Sequence, residues 1–202
     1  MKKTVLIAIA FTLYNYAPAQ STFADSIANY REKYLEEFQS APNSPLKKSD
    51  LKHLQFFQAD ASFRVTASFQ LTPEEKPFGI PTSSGAVKQY TKYGTATFVI
   101  NERTFTLTIY QSEMLKNVPE YLDYLFLPFA DLTNGEETYG GGRYIDLRLG
   151  DIKESRLVID FNKAYNPYCA YSSGYSCPIP PEENHLELEV IAGEKNFRKK
   201  IH

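Results

Sequence analysis

The residues best suited to chemistry lie in two stretches. From Asp131 to Arg148 the chain reads Asp-Leu-Thr-Asn-Gly-Glu-Glu-Thr-Tyr-Gly-Gly-Gly-Arg-Tyr-Ile-Asp-Leu-Arg, with consecutive glycines at 140, 141 and 142. Glycines in a row lose much chain entropy on ordering, so a fold keeps them where backbone takes positive φ or approaches another group closely. One reading is a bulge or tight bend leading into a strand. The other is a concave row of backbone N–H donors beside the forked guanidinium of Arg143, suited to a carboxylate or phosphate. The stretch lacks the strand, loop and helix spacing of nucleotide-binding loops.

The second stretch, Asp160 to Asn184, holds Asp160, Asn162, Tyr165, Asn166, Pro167, Cys169, Cys177, Pro178, Pro180 and Pro181. So many prolines and aromatics exclude a helix and describe a stiff loop bounded by strands, where binding residues gather on a β scaffold. Cys169 and Cys177 are the chain's 2 cysteines, and in an exported protein a disulfide that fixes the shape of the loop is the expectation. Zinc held by Cys169, Cys177 and His185 lacks a close cysteine pair and a fourth ligand. Neither a metal nor another cofactor is expected.

The candidate ligand-contacting set is therefore Tyr139, Gly140, Gly141, Gly142, Arg143, Asp160, Asn162, Tyr165 and Asn166. With Tyr144, Tyr168, Tyr171 and Tyr175 they would form a Gly/Tyr-rich face for a small anionic or sugar-like molecule. Two alternatives stay open. Asp131, Glu136, Glu137, Asp146, Asp160, Glu182 and Glu183 allow a carboxylate-dependent hydrolase, with Asp160 or Asp146 acting beside Arg143. The other alternative is a structural or interaction protein in which both stretches serve only to build the fold.

The elements that must position these residues are mostly strands. Phe63, Val65, Ala67 and Phe69 alternate with polar residues from Ser62 to Gln70. Thr95–Ile100 and Thr104–Tyr110 flank Asn101, Glu102 and Arg103 as a hairpin. Further strands are expected at Gly85–Tyr93, Tyr124–Phe129, Arg143–Leu149, Arg156–Phe161 and Leu186–Ile191. Before them, Phe23, Ile27, Tyr30, Tyr34 and Phe38 recur every three or four residues as one face of an amphipathic helix. The fold class is thus mostly β, an antiparallel barrel or sandwich with one N-terminal amphipathic helix.

At the N-terminus, Lys2 and Lys3, the apolar run Val5–Leu13 and Ala17-Pro18-Ala19 follow the order of a secretory signal, with cleavage expected after Ala19. The run is too short for a bilayer-spanning helix, which needs roughly 20 residues. The mature chain is expected to be periplasmic or secreted, without a membrane span. Domain organisation reads as signal 1–19, helix and linker 20–45, β domain 46–195 and basic tail 196–202. Removing residues 1–19 takes two lysines from 22 basic and none from 24 acidic side chains. The resulting formal charge of about −4 disfavours a nucleic-acid partner, because no basic excess displaces counterions.

Phe129-Ala-Asp-Leu-Thr-Asn-Gly-Glu-Glu-Thr-Tyr-Gly-Gly-Gly-Arg-Tyr, Ile159-Asp-Phe-Asn-Lys-Ala-Tyr-Asn-Pro-Tyr-Cys-Ala-Tyr and Cys177-Pro-Ile-Pro-Pro-Glu-Glu-Asn closely resemble the domain-of-unknown-function family 1684. Phe57 to Phe69 is similar to an earlier motif of that family, and the likeness runs from about Leu46 to Lys195. Longer relatives carry a small β region where Ala41–Lys52 stands here, so the resemblance is to a shortened member. It implies that the triple-glycine and Tyr-Asn-Pro motifs share one surface, and it implies no activity.

Overall fold

The computed structural model describes residues 17–73 and 75–198. The start of the signal-like segment, residues 1–16, and the last basic residues, 199–202, lie outside them. Helix α1 (Ala17–Ser40) precedes eight strands: β1 (Arg64–Leu71), β2 (Phe78–Pro81), β3 (Val87–Ile100), β4 (Arg103–Ser112), β5 (Tyr124–Asp131), β6 (Arg143–Arg148), β7 (Arg156–Asp160) and β8 (His185–Leu186).

The strands form one mostly antiparallel sheet, ordered β6-β5-β4-β3-β1-β7, with β2 on β3 and β8 on β5. It curls into a half-barrel whose concave face is filled by alternate residues. Val65 and Ala67, Ala96 and Phe98, Leu107 and Ile109, Leu125 and Leu127, Ile145 and Leu147, and Leu157 and Ile159 meet there. On the other face Ile80, Tyr90, Tyr110, Phe126 and Tyr144 form a second cluster. The antiparallel barrel-like class and the single leading helix are as expected.

The segments expected at Gly85–Tyr93 and Thr95–Ile100 are one long strand, β3, interrupted by a register shift between Lys92 and Gly94. The β3–β4 turn is tighter than expected. Ile100 pairs with Arg103, and Asn101 and Glu102 take φ of 50° and 61°, the two positive values of a hairpin turn whose twist matches the strands.

Between β4 and β5 only Tyr110 and Phe126 are in ladder register. Pro128 has no N–H to offer there. Asn184 bridges the interruption: its Oδ1 accepts from Thr108 N at 2.7 Å, and its Nδ2 donates to the carbonyls of Thr108 and Pro128 at 2.8 and 2.6 Å.

The strand expected over Leu186–Ile191 shrinks to β8, two residues parallel to Ala130–Asp131. Beyond it the chain bends at residues 187 and 188, keeps one backbone bond to the β5 side through Leu132 N to Leu188 O at 3.0 Å, and then meets side chains. Val190 N donates to Asp131 Oδ1 at 3.2 Å, and Arg143 takes the carbonyls of Val190, Ala192 and Glu194.

Candidate functional site

Alternation along β6 separates the residues that the sequence groups together. Arg143, Ile145 and Leu147 point to the interior, whereas Tyr144 and Asp146 point to the opposite face. Arg143 is 0% exposed. Its Nη2 donates to Asp131 Oδ2 and to Val190 O, both at 2.8 Å, and its Nη1 to Ala192 O and Glu194 O. Burial lowers the guanidinium pKa, and the Asp131 carboxylate opposes that. Both terminal nitrogens serve internal acceptors, and neither Asp146 nor Asp160 forms the pairing with Arg143 that the hydrolase alternative requires.

Of the three glycines, Gly142 has the clearest need to be one. Its φ is +81°, and a Cβ there would lie 2.5 Å from Pro180 Cγ and 2.7 Å from Phe129 O. Its N–H closes a turn onto Tyr139 O at 3.2 Å. At Gly141 a Cβ would strike the ring of Tyr139 at 2.4 Å, while Gly140 has no such crowding. The run lets chain enter β6 beneath Pro180.

Asp160, Asn162 and Asn166 tie loops to the sheet. Asp160 caps the turn Phe161–Lys163 by accepting from Asn162 N at 3.1 Å, and lies 3.7 Å from Arg64. Asn162 exchanges two 2.8 Å bonds with the backbone of Asp60. Fully buried Asn166 donates from Nδ2 to Lys195 O at 2.8 Å. The two long stretches meet through Tyr144 and Tyr165, whose backbones exchange bonds of 2.9 and 3.0 Å.

That junction lines a cleft of about 460 Å³ between α1, the outer face of β6 and the loop 165–178. From α1 come Tyr30, Tyr34, Glu37 and Phe38; from β6, Tyr144 and Asp146; from the loop, Tyr165, Tyr168 and Tyr175; and from β3, Lys88. Of the nine ligand-contacting candidates only Tyr165 lines this cleft. The spacing of Tyr30, Tyr34 and Phe38 predicts that they share a helix face, but nothing local reveals that this face meets residues 130 positions away.

Of the two carboxylates in the cleft, Glu37 and Asp146, the second is held by tyrosines. Its Oδ1 accepts from Tyr165 Oη at 2.6 Å and from Tyr124 Oη at 2.7 Å. The residue is exposed at its edge, yet the atoms around its carboxylate desolvate it enough to raise the pKa above the ordinary value, against the effect of those two hydroxyls. The loop above is closed by the Cys169–Cys177 disulfide. It is also anchored by Ser83 N to Cys177 O at 2.9 Å, Lys88 Nζ to Ser176 O at 2.7 Å and Tyr175 Oη to Asn43 O at 3.0 Å.

Behind the helix wall lies a second carboxylate that the sequence reading passes over. Glu194 is 0% exposed, and Tyr171 Oη donates to its two oxygens at 2.7 and 2.8 Å. Tyr34 Oη and Asn166 N donate to its Oε2 at 3.1 and 3.0 Å. Burial raises its pKa to about 7 despite these donors. Among the described residues no group of His, Cys, Asp and Glu is arranged to hold a metal ion, and no helix is long and apolar enough to cross a membrane.

The family described as "Protein of unknown function (DUF1684)" matches residues 49–195. The fold is similar to the solution NMR structure of an uncharacterized protein of Haloarcula marismortui, with 29% identity and a TM-score of 0.66 over 88% of this chain and 96% of that one. No curated protein matches.

Proposed function

We propose a binding function for this chain, which belongs to the DUF1684 family of proteins of unknown function: an exported envelope domain that takes a small sugar-like ligand in the tyrosine-lined cleft. The observation that carries this reading is the Asp146 carboxylate, oriented by two tyrosine hydroxyls within an aromatic cavity. A volume of about 460 Å³ falls within the roughly 300–1,000 Å³ of small-molecule sites. Sugar rings present flat C–H faces to aromatic rings and hydroxyl donors at their edges, which an oriented carboxylate accepts. An anionic ligand fits less well, because two carboxylates, Asp146 and Glu37, line the cleft against the single ammonium of Lys88, one of whose protons goes to Ser176 O.

Calorimetric titration with a panel of oligosaccharides tests the reading. Asp146→Asn is expected to weaken binding by about tenfold or more, the effect of losing one charge-assisted hydrogen bond, with little change in melting temperature because Asn retains an oxygen for the tyrosines. If no saccharide binds, or if the variant binds as tightly as wild type, the reading fails.

Export is supported by the Lys2–Ala19 pattern and is consistent with the disulfide. The intact mass of protein recovered from the cell envelope should correspond to a start at Gln20 or Ser21. A retained Met1 would refute it.

A further inference from the structure

Three features of the cleft specify its ligand more narrowly, given the binding reading on which they rest. First, both tyrosine donors to Asp146 go to Oδ1, and Oδ2 has no hydrogen-bond partner among the described residues. The carboxylate is thus fixed in orientation with one oxygen free. Second, no lysine or arginine among the described residues forms an ion pair with Asp146. The nearby Arg148 is bound to Asp123 at 2.7 Å and acts on Asp146 only through space, favouring its ionised form without contact. Third, the remaining lining is electron-rich: Tyr30, Tyr34, Phe38, Tyr144, Tyr165, Tyr168 and Tyr175 surround the cavity, whose charges are Asp146, Glu37 and the committed Lys88.

An unpaired carboxylate among aromatic rings attracts a cation twice over, through the charge itself and through the negative faces of the rings. A protonated amine supplies three donors, one of which can meet Oδ2. We infer that the ligand bears a protonated amino group seated against Asp146, so that the preferred saccharide is an amino sugar with its amine free. Desolvation raises the Asp146 pKa, and an ammonium in contact would offset that by favouring the ionised form.

The experiment compares oligomers of glucosamine with N-acetylated oligomers of the same length, by calorimetry on the full mature chain. The two share ring stereochemistry and differ in whether the nitrogen carries charge. The free amines are expected to bind at least about tenfold more tightly, the advantage vanishing in Asp146→Asn and shrinking as salt is raised. The salt series needs no substitution and decides the matter even if the variant folds poorly. Equal binding of the two oligomers, or a preference for the acetylated one, overturns the amine assignment and leaves the sugar-binding reading standing. Binding of neither overturns both.

Discussion

Replacing Arg143 with methionine should cost roughly 3–5 kcal/mol of folding stability. At about 2–4 °C per kcal/mol for a chain of this size, the melting temperature should fall by roughly 6–20 °C. The guanidinium is fully buried, is paired with Asp131 at 2.8 Å and donates to carbonyls of Val190, Ala192 and Glu194. Methionine fills similar volume but leaves a buried carboxylate without its counter-charge and three carbonyls without donors. Asp131 keeps its bonds from Thr133 N and Val190 N, so part of the loss comes from the last segment of chain. Adding Asp131→Asn to the variant should cost less than the sum of the single changes, because the unpaired charge goes with it. Chemical denaturation of the two singles and the double measures this. An unchanged midpoint for the Arg143 variant would return that residue to a recognition role.

Stability should also decline as pH rises from 4.5 to about 7, the ordinary and the folded-state pKa of Glu194. Below that window the carboxyl is protonated in both folded and unfolded chains, and its burial carries no charge penalty. Within it the unfolded chain releases the proton while the folded chain holds it, and above it the folded chain bears a buried charge. At about 1.4 kcal/mol per pH unit the loss amounts to about 3 kcal/mol. Asp146, also raised, acts in the same sense, whereas Glu113 and Glu183 are held below their ordinary values and act in the opposite sense at lower pH. Glu194→Gln isolates the contribution. Glutamine loses an acceptor for one of the hydroxyls or for Asn166 N, so the profile should sit lower throughout but be flatter across the window. Parallel profiles for the two proteins would show that Glu194 does not titrate there.

Much of the sheet was legible because its residues alternate, and the same alternation held more than the reading drew from it. Arg143 stands two and four residues before Ile145 and Leu147, which places it on their side of β6 and away from Asp146. A forked donor beside three glycines suggested an exposed anion site, and the period-two pattern argued for the interior. Leu186–Ile191 also alternates, yet beyond β8 a single backbone bond from Leu132 N to Leu188 O gives way to the side chains of Asp131 and Arg143, and no local pattern distinguishes that from a ladder. The cleft was the least legible part. Tyr165 was singled out from its own loop, but α1 supplies another wall and Tyr124 helps to orient Asp146. Those contacts join positions that are close only once the chain has folded.

The helix that walls the cleft has a consequence for the order of assembly. Tyr30 and Tyr34 bond to partners 133, 137 and 160 residues downstream, separations that cover most of the described chain. Loop-closure entropy makes contacts of such range slow to form, and chains dominated by them fold late and slowly. Hairpins such as β3–β4 need no distant partner, whereas Glu194, the acceptor for Tyr34, lies 160 residues further along the chain. The helix is therefore expected to dock after the sheet has formed. Until it docks, the sheet and the loop stand without the wall that Tyr30, Tyr34 and Phe38 give the cleft, so the cavity is completed only when the helix arrives.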